Sequence, residues 1–202
     1  MFAYCGNNPV VNSDPSGKYF MEIAEAILDF FANIFGSSSS TGAAQDYEEI
    51  PAGHNGNAPN CYAYAVGAPV NKQPGGTSKR KVTDWSDVKD VAASVKADLN
   101  SEGYTVRRLS GASGKILENE YRIALRVGTS PYDKDKYGLP MFDYHFMVQT
   151  STGQWAEKHG SRGGTYLWDV GVTPNEANWS FPGDDNQYYD SPIVYFAISK
   201  WR

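Results

Sequence analysis

An α+β domain is what the sequence predicts, on two observations. Helical periodicity comes early and strand periodicity late, and the late strands follow one another through short turns, the order of an antiparallel sheet with helices on one side. Element by element, Asn60 is a good helix cap, and Cys61 to Val66 reads as a short helix before Gly67 and Pro69 break it. A second helix is predicted from about Trp85 to Asn100, with Val88, Val91, Ala92, Val95 and Leu99 as its apolar stripe and Gly103 as its stop. Strands follow at Tyr104 to Leu109, at Tyr121 to Val127 and at Tyr144 to Gln149. The turn Thr150-Ser151-Thr152-Gly153 returns the chain through Gln154 to Lys158 as a hairpin, and Ile193 to Ser199 closes the sheet. No internal repeat is visible.

Composition divides the chain into three zones. Residues 1–17 are rich in turn formers and too poor in apolar groups to fold alone. Residues 18–44 combine an amphipathic helix and a linker. Glu22, Glu25, Asp29 and Asn33 share one face, Phe20, Ile23, Ile27, Phe30, Phe31 and Ile34 cover much of the rest, and Ser37 to Gly42 form a flexible tether. The acidic polar face argues against a membrane-surface helix, which prefers Lys and Arg. Residues 45–202 form the globular domain.

The totals bound the function. The 202 residues suit one domain with appendages, and a hydrophobic fraction of 41% with 14 Tyr, 9 Phe and 5 Trp permits a core built on large rings. A net charge of −5 and a pI near 5.2 argue against nucleic acid as partner. Lys79-Arg80-Lys81 is read as a solvated loop. Cys5 and Cys61 do not form a disulfide framework. The opening residues lack a basic region followed by an apolar run, so export by some other part of a larger protein is expected. No stretch approaches the roughly 18 apolar residues of a membrane span.

Cys61 is the candidate nucleophile. It follows a capping Asn directly, where unpaired backbone N–H groups can favour a thiolate and stabilise an oxyanion. His145 is the best-placed base, because it stands on a strand, with Met147 and Gln149 on its face and Tyr144, Phe146 and Val148 on the other. His54 and His159 sit in loops and read as solvated. A third group should hold the imidazole: Glu157 and Asp169 are the candidates, Asn178 a distant third, and spacing does not choose among them. Asn60 and Asn55 are the side chains expected to supplement the oxyanion donors. No zinc spacing, phosphate loop or serine elbow occurs, no cofactor is expected, and Asp184-Asp185-Asn186 reads as an ordinary loop.

Two resemblances add to this. Tyr4-Cys5-Gly6-Asn7-Asn8-Pro9-Val10 followed by Asp14-Pro15-Ser16-Gly17 resembles the end of the core of Rhs/YD-repeat proteins, which implies that the chain from about Lys18 is a variable toxin or effector region. Asn60-Cys61-Tyr62-Ala63-Tyr64-Ala65, then Asp143-Tyr144-His145-Phe146, then Trp155 to Gly160 resembles bacterial papain-like proteins. That resemblance implies a Cys at the start of a helix packed on an antiparallel sheet that carries the His. Together they imply a secreted effector acting as a cysteine peptidase or deamidase on a target protein, with a cognate immunity protein as a further partner. A peptidoglycan amidase on the same fold and a non-enzymatic binding module are the alternatives.

Overall fold

The structure, a computed structural model, describes residues 44–53, 58–180 and 188–200. The expectations placed on residues 1–43, on His54 and Asn55 and on Asp184-Asp185-Asn186 lie outside the described residues. Two helices, α1 (Cys61–Ala65) and α2 (Val88–Ser101), precede β1 (Tyr104–Leu109), β2 (Tyr121–Lys134), β3 (Pro140–Gln149), β4 (Trp155–Lys158), β5 (Thr165–Leu167) and β6 (Val194–Lys200). The strands form one sheet in the order β1-β6-β2-β3-β4-β5, every neighbouring pair antiparallel. This is the α+β arrangement expected.

The differences from the sequence reading have local causes. Helix α2 begins at Val88 rather than Trp85, because the Asp87 side chain caps it by accepting the Lys89 N–H at 2.9 Å. Strands β2 and β3 run on past the sheet as a hairpin arm with an irregularity between Thr129 and Lys134. Strand β5 has only three residues, too few to show an alternating pattern, and is held by pairing to β4.

Both faces of the sheet are buried. On one, Val106, Ile123, Leu125, Phe146, Val148, Phe196 and Ile198 pack against Tyr62, Val91, Val95 and Leu99 of the two helices. On the other, Ala124, Met147, Tyr195 and Ala197 lie beneath Ile116, Trp179 and Tyr189 from irregular segments. Close passage of the second cover depends on Gly128, where a Cβ would stand 1.8 Å from the Tyr188 carbonyl oxygen. The cover is pinned there by Thr129 N–H to Tyr188 O (3.2 Å) and Ser191 N–H to Val127 O (3.2 Å).

Helix α2 also fixes the loop that forms one wall of the site. Asp98, fully buried, accepts the backbone N–H groups of Gly76 (3.1 Å), Thr77 (3.2 Å) and Ser78 (2.7 Å). Replacing Asp98 with Ala leaves three donors without their acceptor. The expected loss is about 3 kcal/mol of unfolding free energy, read from urea melts.

Candidate active site

Asn60 sets the start of α1. Its Oδ1 accepts the N–H of Ala63 (3.0 Å) and of Lys72 (3.2 Å), while its Nδ2 donates to Lys72 O (2.7 Å) and to the Tyr144 hydroxyl (3.1 Å). The residue ties helix, loop and β3 into one unit. It also corrects an expectation: both amide protons are committed, so the Asn60 side chain has none to offer an oxyanion. Asn55 lies outside the described residues.

Cys61 follows as the first residue of α1. It is a free thiol, 5% exposed, with Sγ 3.7 Å from the Tyr144 carbonyl oxygen on β3. Pairing of β3 with β4 stops at Met147 opposite Glu157, and beyond that point α1 meets β3. Here His145, 2% exposed, hydrogen-bonds Glu157 and lines the same cleft as Cys61. Its Nε2 lies 2.7 Å from Glu157 Oε2, which leaves Nδ1 as the ring nitrogen not engaged by the carboxylate. Glu157, also 2% exposed, is held by its second oxygen: Trp168 Nε1 donates to Oε1 at 3.0 Å, and His159 Nε2 is 3.6 Å from the same atom.

Rings clamp the imidazole. Tyr189 stacks on His145 with centroids 5.1 Å apart, His159 stacks at 5.2 Å, and Trp179 meets it edge-on at 6.0 Å. Tyr189 is fixed in turn by its hydroxyl, which donates to Asp143 Oδ2 at 2.9 Å. The strand pattern around His145 does not foretell this cover, because Trp179 and Tyr189 come from distant, irregular segments.

The electrostatics follow from these contacts. Burial alone depresses His145, but hydrogen bonds to Cys61 and Glu157, with the negative charge on both, overrule it and push its pKa up to about 10. Burial acts to raise Glu157, yet the hydrogen bonds and positive charge of His145 and His159 hold it below the ordinary carboxylate value. The pair is therefore imidazolium and carboxylate at neutral pH. The phenols of Tyr144 and Tyr189 are pushed up, mainly by burial, and stay neutral.

Cys61 and His145 open onto one cleft of about 210 Å³, walled also by Asn71, Gln73, Asp143 and His159. Its lining mixes polar side chains with the rings of Tyr144 and Tyr189. Ligand atoms of His145, Glu157 and His159 lie within 4.8 Å of one another, the donor types of a metal site. His145 and Glu157 nevertheless meet in a direct 2.7 Å hydrogen bond, and an ion would have to part them.

Among the sequence candidates, then, Cys61, His145 and Glu157 come together and Asp169 does not. Asp169 is exposed in a turn where its carbonyl accepts the Val172 N–H at 3.1 Å, and Asn178 is exposed as well. The signal that separates Glu157 from Asp169 was present in the hairpin. A turn over 150–153 sets Glu157 opposite Met147, which shares the His145 face. Trp168, Tyr189, Trp179 and Asp143 carried no such signal, and His159 was taken for a solvated loop residue whereas it packs on His145. Comparison with protein-family models, with curated proteins and with solved structures gives no match, so the site is defined by its own geometry.

Proposed function

We propose that this chain is a papain-like thiol hydrolase acting on a protein amide, as a peptidase or deamidase, through Cys61, His145 and Glu157. One observation carries the reading: a buried imidazole that is hydrogen-bonded to a buried carboxylate and shares one cleft with a free thiol at a helix start. An imidazolium beside the sulfur favours the thiolate, the nucleophilic form.

The steps follow from that arrangement. The Cys61 sulfur attacks the amide carbonyl carbon, the C–S bond forms, and the carbonyl π electrons move to oxygen. The oxyanion faces the cleft, where the Cys61 backbone N–H and the side-chain amides of Asn71 and Gln73 are the donors at hand. As the tetrahedral species collapses, the C–N bond breaks and the nitrogen takes its proton from His145. Water then attacks the thioester with His145 as base, releasing a carboxylic acid and restoring Cys61. Glu157 holds the ring in register and balances its charge throughout. A peptide amine leaves in the peptidase version, ammonia in the deamidase version.

The sequence resemblance to Rhs/YD-repeat proteins supports placing this domain at the effector end of a larger exported protein, with a target protein as substrate and an immunity protein as partner. No described helix is long and apolar enough to cross a membrane. The test is expression of the full chain in bacteria beside its Cys61→Ala variant. The hydrolase reading expects growth arrest from the first and none from the second, and equal arrest favours a binding module. Loss of turbidity from isolated sacculi would instead place the scissile amide in peptidoglycan.

A further inference from the structure

Lys158 has no part in the steps above, yet it is one of the most buried residues of the protein, with 0% exposure. It stands between Glu157 and His159 on β4. By strand alternation it faces away from Glu157 and toward the side of Ala156, which packs in the same core cluster as Cys61 and α1. Its ammonium donates to Gly160 O (2.8 Å) and Gly163 O (2.7 Å). Gly160 lines the same cleft as Cys61. Gly163 cannot carry a side chain, because a Cβ would lie 2.1 Å from the His159 carbonyl oxygen, so the loop closes tightly around the ammonium.

Both acceptors are neutral carbonyls. Among the described residues Lys158 has no carboxylate partner, which is an expensive state for a buried cation. Burial lowers its pKa accordingly, and the group that acts in the opposite direction is Cys61.

We propose that Lys158 is a positioning residue whose buried ammonium is the standing counter-charge of the Cys61 thiolate. It holds positive potential at the sulfur from the core side while His145 does so from the β3 side. The inference rests on Cys61 being the nucleophile. It gives His145 a distinct role: once the imidazolium has handed its proton to the leaving nitrogen, Lys158 is the cation that remains.

The test is a ratio of two alkylation rates at Cys61, with anionic iodoacetate and with neutral iodoacetamide. In each reaction the S–C bond forms and iodide departs with the C–I electrons. Positive potential at the sulfur favours the anionic reagent, and the ratio is taken on samples shown to be folded, since an unfolded fraction would pull it toward the free-thiol value. The full chain is compared with Lys158→Met and Lys158→Arg. Lys158→Met is expected to lower the iodoacetate to iodoacetamide ratio by about three- to tenfold, and Lys158→Arg to restore most of it. An unchanged ratio in folded Lys158→Met overturns the proposal, because a purely structural lysine would not alter reagent charge preference. Should Lys158→Met not fold, the wild-type ratio is set against that of the urea-unfolded chain. A native ratio no higher than the unfolded one also overturns it. No substrate enters this measurement, so loss of the hydrolase reading (activity persisting in Cys61→Ala) is distinguishable from loss of the Lys158 reading.

Discussion

If the chain is the proposed thiol hydrolase, Cys61→Ala is expected to abolish its activity, with a loss of about 10⁴-fold or more in kcat. The size follows from the chemistry: without sulfur there is no thioester, and the steps carried by His145 have no nucleophile to serve. The substitution removes one atom from a site that is already closed, so the structural cost is small, about 1 kcal/mol. That separation makes the variant informative. Melting close to wild type with growth arrest lost points to chemistry, whereas melting and arrest both preserved would leave the buried Cys–His–Glu group without a use. Cys61→Ser is expected to be inactive as well, since the site orders an imidazole beside a soft, ionisable sulfur rather than activating a hydroxyl.

Glu157→Gln is expected to lower kcat by about 10²- to 10⁴-fold with little change in KM, since Glu157 touches the imidazole and does not itself line the cleft. A neutral amide keeps the shape and can still meet Trp168 Nε1 through its oxygen. It removes the charge that the imidazolium faces at 2.7 Å. The same change should reshape stability against pH. His145, raised to about 10, contributes stability that is complete below its unfolded-state value of 6.5 and is lost as pH rises through 10. Glu157, lowered from 4.5, contributes stability present above that value and lost as pH falls through its folded-state pKa. Wild type should therefore show a plateau between about 4.5 and 6.5 and decline on both sides. Glu157→Gln should lose the contribution of this carboxylate on the acid side and flatten the alkaline decline, as read from urea midpoints across pH. An unchanged profile would mean that the pair is not ionised in the folded protein.

Much of the fold could be read from the sequence because its signals are local. The α2 stripe, the alternation of β1 and β2 and the turn at Thr150–Gly153 each express a backbone periodicity that short-range residue choice reveals. The place of Cys61 was legible for the same reason: a capping Asn next to a Cys marks the beginning of a helix. Glu157 was legible in part, since the hairpin register already placed it beside the His145 face. What could not be read depends on long-range closure. The burial of His145 is made by Tyr189 and Trp179, more than thirty residues away and on segments without periodicity. Asn60 looked like a free amide because nothing local shows that Lys72 and Tyr144 will take both its protons. Nothing local marks Lys158 as an enclosed cation, and only the turn that wraps it reveals one.

The most direct test of the central claim is the rate of Cys61 alkylation by iodoacetamide near neutral pH, with the modified peptide identified by mass, in the native chain and in His145→Ala. A thiolate sustained by the imidazole predicts rapid modification of Cys61 in the native protein and strong suppression in the variant. The comparison is made on a His145→Ala variant whose melt shows it to be folded, because unfolding would also return the sulfur to an ordinary thiol. Equal labelling of Cys61 in a folded His145→Ala variant would contradict the Cys61–His145 pair on which the account depends.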